Sequence, residues 1–154
     1  MKARAQIIVP GRVSDAEALW YDTTRWASFI DGFHHVVKGL EDWPAEGTLM
    51  WDSTPGGRGR VIERITRYEP RVGQIVAVED ESITGHQAVS FAAREDGRTT
   101  VTLELTWELK DKRGGPLSFV VNGVFIRPRQ REALQRTLAR YGRELVSDQQ
   151  AQHP

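Results

Sequence analysis

The residues best suited to acid–base chemistry are a few histidines and carboxylates in the central part of the chain. His34 and His35 are adjacent, and His86 stands alone after Gly85. An imidazole changes its charge near neutral pH, so each histidine could serve as a general acid or base. Because neighbours on a strand point to opposite faces, we expect that His34 and His35 do not chelate one metal together. With no third ligand in view, the sequence predicts no zinc or iron site.

The carboxylates we expect nearest to a cavity are Asp52 and Glu63. Glu63 shares strand parity with Val61, and if that face is the inner one, Glu63 is buried and must find a partner. Arg60 then faces outward, whereas an inward Ile62 would exchange the assignments. A structural salt bridge and a paired acid and base both stay open as roles for this carboxylate. The candidate catalytic residues are Glu63, His34, His86 and Arg60.

Large apolar side chains are the candidates for contact with a ligand. These side chains could equally form an ordinary hydrophobic core, because a core and a cavity wall use the same residue types. Asn122 interrupts the apolar stretch that follows Pro116, and it could flank a cavity or face solvent. The candidate ligand-binding residues are Phe29, Phe33, Trp51, Phe91, Trp107, Phe119, Asn122 and Phe125.

Composition excludes several classes of protein. The 154 residues include no cysteine, so the chain has no disulfide framework, cysteine nucleophile or thiolate metal site. Lys and Arg total 21, as do Asp and Glu, so no net charge draws the chain to nucleic acid. The six arginines within 127–146 are expected to form a solvated helix face. Gly56 and Gly57 fit a hairpin turn better than a phosphate loop.

Apolar runs are short, so the sequence predicts no membrane span. Met1 to Val9 lacks the apolar stretch of a signal peptide, and we expect a cytoplasmic protein. No residue pattern calls for a cofactor.

Hydrophobic periodicity predicts the order of the elements. A first strand over 3–9 precedes two short helices, the first with Ser14 and Glu17 as a capping box. From Phe33 to Leu109 the period becomes two, with turns marked by Gly and Pro, and about seven antiparallel strands result. Leu134, Leu138, Tyr141 and Leu145 then form the apolar stripe of a long C-terminal helix.

A sheet with one apolar face must bury that face, and the last helix is the one element long enough to cover it. Seven strands that curve around one helix leave a gap, and such gaps hold ligands. We expect one α+β domain over residues 1–147 and a disordered tail over 148–154.

The chain resembles the START-like helix-grip (SRPBCC) superfamily, in particular its polyketide cyclase/dehydrase-like members. The resemblance rests on segments 13–20, 47–51, 61–70 and 96–102, together with Asp22 and Arg25-Trp26. It implies a curved seven-stranded sheet wrapped around a C-terminal helix, and an internal cavity. These motifs specify the fold and leave the chemistry open.

Two functions from different classes follow. The first is binding of a small hydrophobic molecule, such as a lipid, a polyketide-like aromatic or a terpenoid, without a cofactor. The second is a cyclase- or aromatase-like enzyme, which needs two polar candidates to converge inside one cavity. A third possibility is that side chains fill the cavity and the protein acts through a surface that binds a partner. A homodimer also stays possible.

Overall fold

The computed structural model describes residues 1–110 and 127–152. Residues Thr23–Arg25 form a 3₁₀ turn between the first two helices. The elements are β1 (Lys2–Val9), α1 (Val13–Tyr21), α2 (Trp26–Phe29), β2 (Phe33–Lys38), β3 (Thr48–Ser53), β4 (Arg60–Glu69), β5 (Gly73–Glu79), β6 (Ile83–Ala93), β7 (Thr99–Leu109) and α3 (Arg127–Gln152).

The strands form one antiparallel sheet in the order β1-β7-β6-β5-β4-β3-β2. Strands β2 to β7 follow one another as hairpins, and β1 closes the series against β7. Strands β1 and β2 are therefore the two edges. The predicted seven-stranded antiparallel meander, with two short helices after the first strand, is confirmed.

The apolar residues of the strands lie on one face of the sheet. In β7, Val101, Leu103, Leu105 and Trp107 are all buried, while the residues between them are more exposed. This alternation is what a sheet with one dry face requires. The core therefore lies on the side of the sheet that faces the helices.

Helix α3 closes the core with the predicted stripe of Leu134, Leu138, Tyr141 and Leu145, all of which are buried. The Tyr141 hydroxyl donates a hydrogen bond to the carbonyl of Ala16 at 2.5 Å. This bond ties α3 to α1, and it gives the buried hydroxyl the partner that it needs.

The start of α1 differs from the predicted capping box. The helix begins at Val13, and the Asp15 carboxylate accepts the backbone N–H of Arg12 at 3.0 Å. Glu17 has another role: it is buried, accepts the backbone N–H of Arg71 and pairs with the Arg71 guanidinium. Because the helix starts two residues earlier than expected, with Arg12 instead of Ser14 as its N-cap, the predicted Ser14–Glu17 pair cannot form the cap.

The predicted disordered tail over 148–154 is wrong for its first five residues, because α3 continues to Gln152. Arg25 donates to both carboxylate oxygens of Asp148, at 2.9 and 3.0 Å, and to Glu144 at 2.6 Å. This bidentate ion pair fixes the last turns of the helix against the 3₁₀ turn. Polar composition alone could not reveal a partner 123 positions away.

Candidate functional site

A cavity of about 640 Å³ lies between the inner face of the sheet and α3. Strands β3 to β7 supply one wall, α1 and α2 supply another, and residues 129–137 of α3 close it. Its volume is within the range of sites that take small organic molecules. The gap predicted between sheet and helix is thus present.

Much of the cavity wall is aromatic or aliphatic. Four of the five tryptophans of the chain, Trp20, Trp26, Trp43 and Trp51, line it. The central strands add aliphatic side chains, which are Val76, Val89, Leu103 and Leu105. These side chains offer apolar surface to a ligand, and the rest of the wall has polar and charged side chains such as Asp31, Arg58 and Arg136.

Glu63 is the carboxyl that the sheet turns into this cavity. Val61 and Glu63 are both buried, whereas Arg60 and Arg64 are exposed, so the face containing Val61 is the inner one. Glu63 is 6% exposed and lines the cavity. Of the two arrangements that strand parity left open, the structure has the one that buries Glu63.

One hydrogen bond holds the Glu63 carboxyl. The Trp51 indole Nε1–H donates to Glu63 Oε2 at 3.0 Å, and no described residue bonds to Oε1. Burial raises the pKa of Glu63 above its ordinary value, and the nearby Arg58 charge and the Trp51 bond oppose this shift only in part. A carboxyl that keeps its proton in a dry site can donate a hydrogen bond or act as an acid.

Arg58 lies beside Glu63 and is held by Asp80. Its Nε donates to Asp80 Oδ2 at 2.7 Å, and its guanidinium carbon lies 5.7 Å from the centroid of the Trp51 ring. The other Asp80 oxygen accepts the backbone N–H groups of Ser82 and Ile83. Arg58 Nη2 is buried and has no hydrogen-bond partner among the described residues. The cavity thus has a charged border next to Glu63.

Three of the four candidate catalytic residues lie outside the cavity. His34, His86 and Arg60 are exposed on the outer face of the sheet. Arg60 donates to both oxygens of Asp52, at 2.9 and 3.2 Å, and holds the pKa of that carboxyl below its ordinary value. The candidates therefore do not converge, and Glu63 is the member of the set that reaches the cavity.

His34 and His35 contradict the expectation that these neighbours face opposite sides. Both are exposed, and their Nδ1 atoms lie 3.0 Å apart. The pairing of β2 with β3 shifts between Phe33 and His35, and such an irregularity breaks the alternation of side chains. The two rings share a hydrogen bond on the outer surface, away from the cavity.

The predicted ligand-binding set is only partly a cavity wall. Trp51 lines the cavity, but Phe29, Phe33, Phe91 and Trp107 do not. Phe29 packs between Trp20 and Tyr141, and Phe33 packs on Trp26 and Trp51. Phe91 and Trp107 are buried elsewhere in the core. Phe119, Asn122 and Phe125 lie outside the described residues.

Sequence reasoning missed several residues of the cavity wall. Gln74 and Gln87 lie on the inner face of β5 and β6, at the parity of Val76 and Val89. That parity was a usable signal, because a polar residue in an inward register is unusual. Trp43 and Arg58 follow no period, since both lie in connections between strands, and no local signal identifies them.

Over 1–110 and 127–152, no three His, Asp or Glu side chains are grouped closely enough to hold a metal ion. Over the same ranges, none of the helices has the length and hydropathy needed to cross a membrane.

The fold and the cavity together define a START-like helix-grip protein. A family model described as "Polyketide cyclase / dehydrase and lipid transport" matches residues 1–145. Because that match spans nearly the whole chain, the protein belongs to this family, as the sequence motifs predicted.

Solved structures give the same assignment of fold. A protein from Thermus thermophilus superposes with a TM-score of 0.76 at 15% identity, over 96% of this chain and 99% of that one. A START superfamily protein from Mycobacterium smegmatis gives 0.67 at 15%, over 94% and 98%. A norcoclaurine synthase point mutant from Thalictrum, in complex with a transition state analogue, gives 0.69 at 9%, over 97% and 96%. At these identities the likeness concerns the fold alone. A comparison with curated protein sequences gives no match.

Proposed function

We propose that this protein binds a small, largely apolar molecule in the cavity between the sheet and α3. The observation that supports this proposal most is the cavity itself, about 640 Å³ in volume and lined by four tryptophans. A lipid, a polyketide-like aromatic or a terpenoid has the size and the apolar surface that such a wall accepts. The cytoplasmic location and a homodimer stay predictions.

Binding is favoured over catalysis because of the four candidate catalytic residues only Glu63 lines the cavity. A cyclase that relies on paired acid and base groups needs at least two groups within reach of the reacting atoms. A carrier needs only a dry volume with one or two polar positions.

The experiment that tests binding changes the cavity volume without changing the surface. Ala133 lines the cavity, whereas Ala139 is exposed on the same helix. We expect the wild-type protein to take up the neutral probe N-phenyl-1-naphthylamine, with a rise in probe fluorescence. Ala133→Phe should weaken that binding at least tenfold, because the new ring occupies the volume. Ala139→Phe, the matched control, should bind like the wild type.

Two results would overturn the proposal: no uptake by the wild-type protein, or equal weakening by both phenylalanine variants. Native mass spectrometry of the protein purified from its own host then identifies the class of ligand. A co-purified molecule of defined mass that Ala133→Phe loses and Ala139→Phe retains is the natural ligand.

Glu63 supports a second candidate function, acid–base catalysis on the bound molecule. A buried carboxyl with a raised pKa beside a cavity is the usual setting of a general acid. In this case the co-purified molecule is converted on incubation, and Glu63→Gln stops the conversion while binding persists. If the molecule stays unchanged under all conditions of incubation, the catalytic function is rejected and the carrier remains.

A further inference from the structure

The polar groups of the cavity differ in how fully their hydrogen bonds are used. Asp80 accepts from Arg58, Ser82 and Ile83, so both of its oxygens are occupied. Gln74 donates its side-chain N–H to the carbonyl of Pro44 at 2.9 Å. Glu63 has one bond, at Oε2, and its Oε1 has no partner among the described residues. Glu63 Oε1 and Arg58 Nη2, which is buried and also has no described partner, are therefore the positions at which a ligand can form a hydrogen bond next to Trp51.

The bond from Trp51 also decides which oxygen of Glu63 presents a proton. An indole N–H can only donate, so Oε2 must accept at this contact. The carbonyl oxygen of a neutral carboxyl is its stronger acceptor, so with Oε2 accepting from Trp51 the proton lies on Oε1, the oxygen that no described residue contacts. The side chain then presents a single O–H donor to the cavity. Trp51 acts as a positioning residue, because it touches the carboxyl and fixes its orientation.

We propose that the ligand is a neutral apolar molecule with a carbonyl oxygen, and that this oxygen accepts a hydrogen bond from Glu63 Oε1. This inference rests on the ligand binding proposed above and names the polar group that the ligand carries. Nothing covalent is involved: Glu63 Oε1–H donates and the ligand oxygen accepts.

The charges around Glu63 argue against an ionic ligand. A ligand carboxylate could pair with Arg58 Nη2, which has no described partner, but it would have to lose its hydration beside the Asp80 carboxylate that already binds Arg58. A ligand ammonium would need Glu63 to ionise in a fully buried position and would be repelled by Arg58. Burial raises the pKa of Glu63, which keeps the carboxyl in the donating form at a higher pH.

The test compares three ligands of nearly equal size by isothermal titration calorimetry: 2-acetylnaphthalene, 2-isopropylnaphthalene and 2-naphthoate. We expect the ketone to bind about 3- to 10-fold more tightly than the hydrocarbon, the fold-change that one neutral hydrogen bond gives. Glu63→Leu should reduce this ratio to about one, because it removes the donor. Glu108→Leu is the matched control, since Glu108 is an exposed carboxyl on the outer face of β7, and it should leave the ratio unchanged.

The role of Trp51 has a spectroscopic readout. The infrared band of a protonated carboxyl should be present in the wild-type protein and absent from Glu63→Gln. Trp51→Phe should shift this band, since the accepted hydrogen bond is lost, and should lower the preference for the ketone. An unchanged band in Trp51→Phe contradicts the positioning role.

The outcomes separate this inference from the proposed function. If none of the three naphthalenes and no N-phenyl-1-naphthylamine binds, ligand binding itself fails. If ketone and hydrocarbon bind equally, or if the preference survives in Glu63→Leu, only the carbonyl assignment fails. Tightest binding of 2-naphthoate also overturns the assignment and points to Arg58 as the anchor.

Discussion

Glu63 is a buried carboxyl on the inner face of β4. Its neighbours on the inner face are apolar, and a carboxylate placed among them must lose most of its hydration. One hydrogen bond from Trp51 and a nearby Arg58 compensate in part, and the remaining cost appears as a raised pKa. The buried Glu63 carboxyl therefore lowers the free energy of unfolding, and buried polar residues of this kind often bind a ligand.

The raised pKa predicts a pH dependence with a definite sign. A folded-state pKa above 4.5 means that the stabilising contribution of protonated Glu63 is complete below about pH 4.5 and is lost as pH rises through the folded-state value. Glu63→Gln is neutral throughout. The free energy of unfolding of the wild-type protein should therefore fall relative to Glu63→Gln as pH rises, as measured by urea denaturation at several pH values.

Other carboxyls do not obscure this comparison. Asp31 and Asp52 have lowered pKa values, so their contributions are lost as pH falls, but both are present in the wild type and the variant. Arg58 and Asp80, the charged groups beside Glu63, are also unchanged in the variant. A constant difference between the two proteins across the pH range would show that Glu63 is not perturbed.

At the scale of elements, the turn between β5 and β6 depends on Asp80. This carboxylate is 4% exposed and accepts two backbone N–H groups of the turn as well as Arg58. Asp80→Ala should lower the free energy of unfolding by about 2–4 kcal/mol, because it leaves buried donors without partners. Equilibrium denaturation in urea measures the loss.

The neighbouring residue supplies the control for this prediction. Glu81 is exposed, and its side chain pairs with no described residue. Glu81→Ala should therefore change stability by no more than about 0.5 kcal/mol. Similar losses in the two variants would mean that the turn depends on charge rather than on the buried hydrogen bonds.

At the scale of the whole molecule, α3 is held at two positions, one against α1 and one against the 3₁₀ turn over Thr23–Arg25. The Tyr141 hydroxyl bonds to Ala16, and Arg25 pairs with Glu144 and Asp148 near the end of the helix. Removal of residues 148–154 should cost about 1 kcal/mol and lower Tm by roughly 2–4 °C, because it deletes the bidentate partner of Arg25. Calorimetry measures this change.

A shorter deletion is the control. Removal of residues 153–154 alone leaves Asp148 in place, and Tm should stay at the wild-type value. Equal effects of the two deletions, or no effect of the longer one, would show that the Arg25–Asp148 pair does not fix the helix end.

Much of the fold could be predicted because its signals are local. The alternation of Val101, Leu103, Leu105 and Trp107 and the stripe from Leu134 to Leu145 each follow from the period of one element. The site was harder, since strand parity offers two faces and only packing chooses between them. Strand parity singles out Glu63 but leaves its orientation open, and the parity of Gln87 with Val89 is an equally local signal.

What the sequence by itself determined is the order of the elements, the antiparallel sheet and the family, because periodicity, turn residues and motifs are properties of neighbouring positions. Only the tertiary structure decided that Glu63 meets Trp51, that Arg58 meets Asp80 and that Arg25 holds Asp148. It also decided that His34 and His35 share one face, through an irregularity in strand pairing. These contacts join residues whose approach depends on how the sheet and helices pack, and local pattern carries no information about that packing.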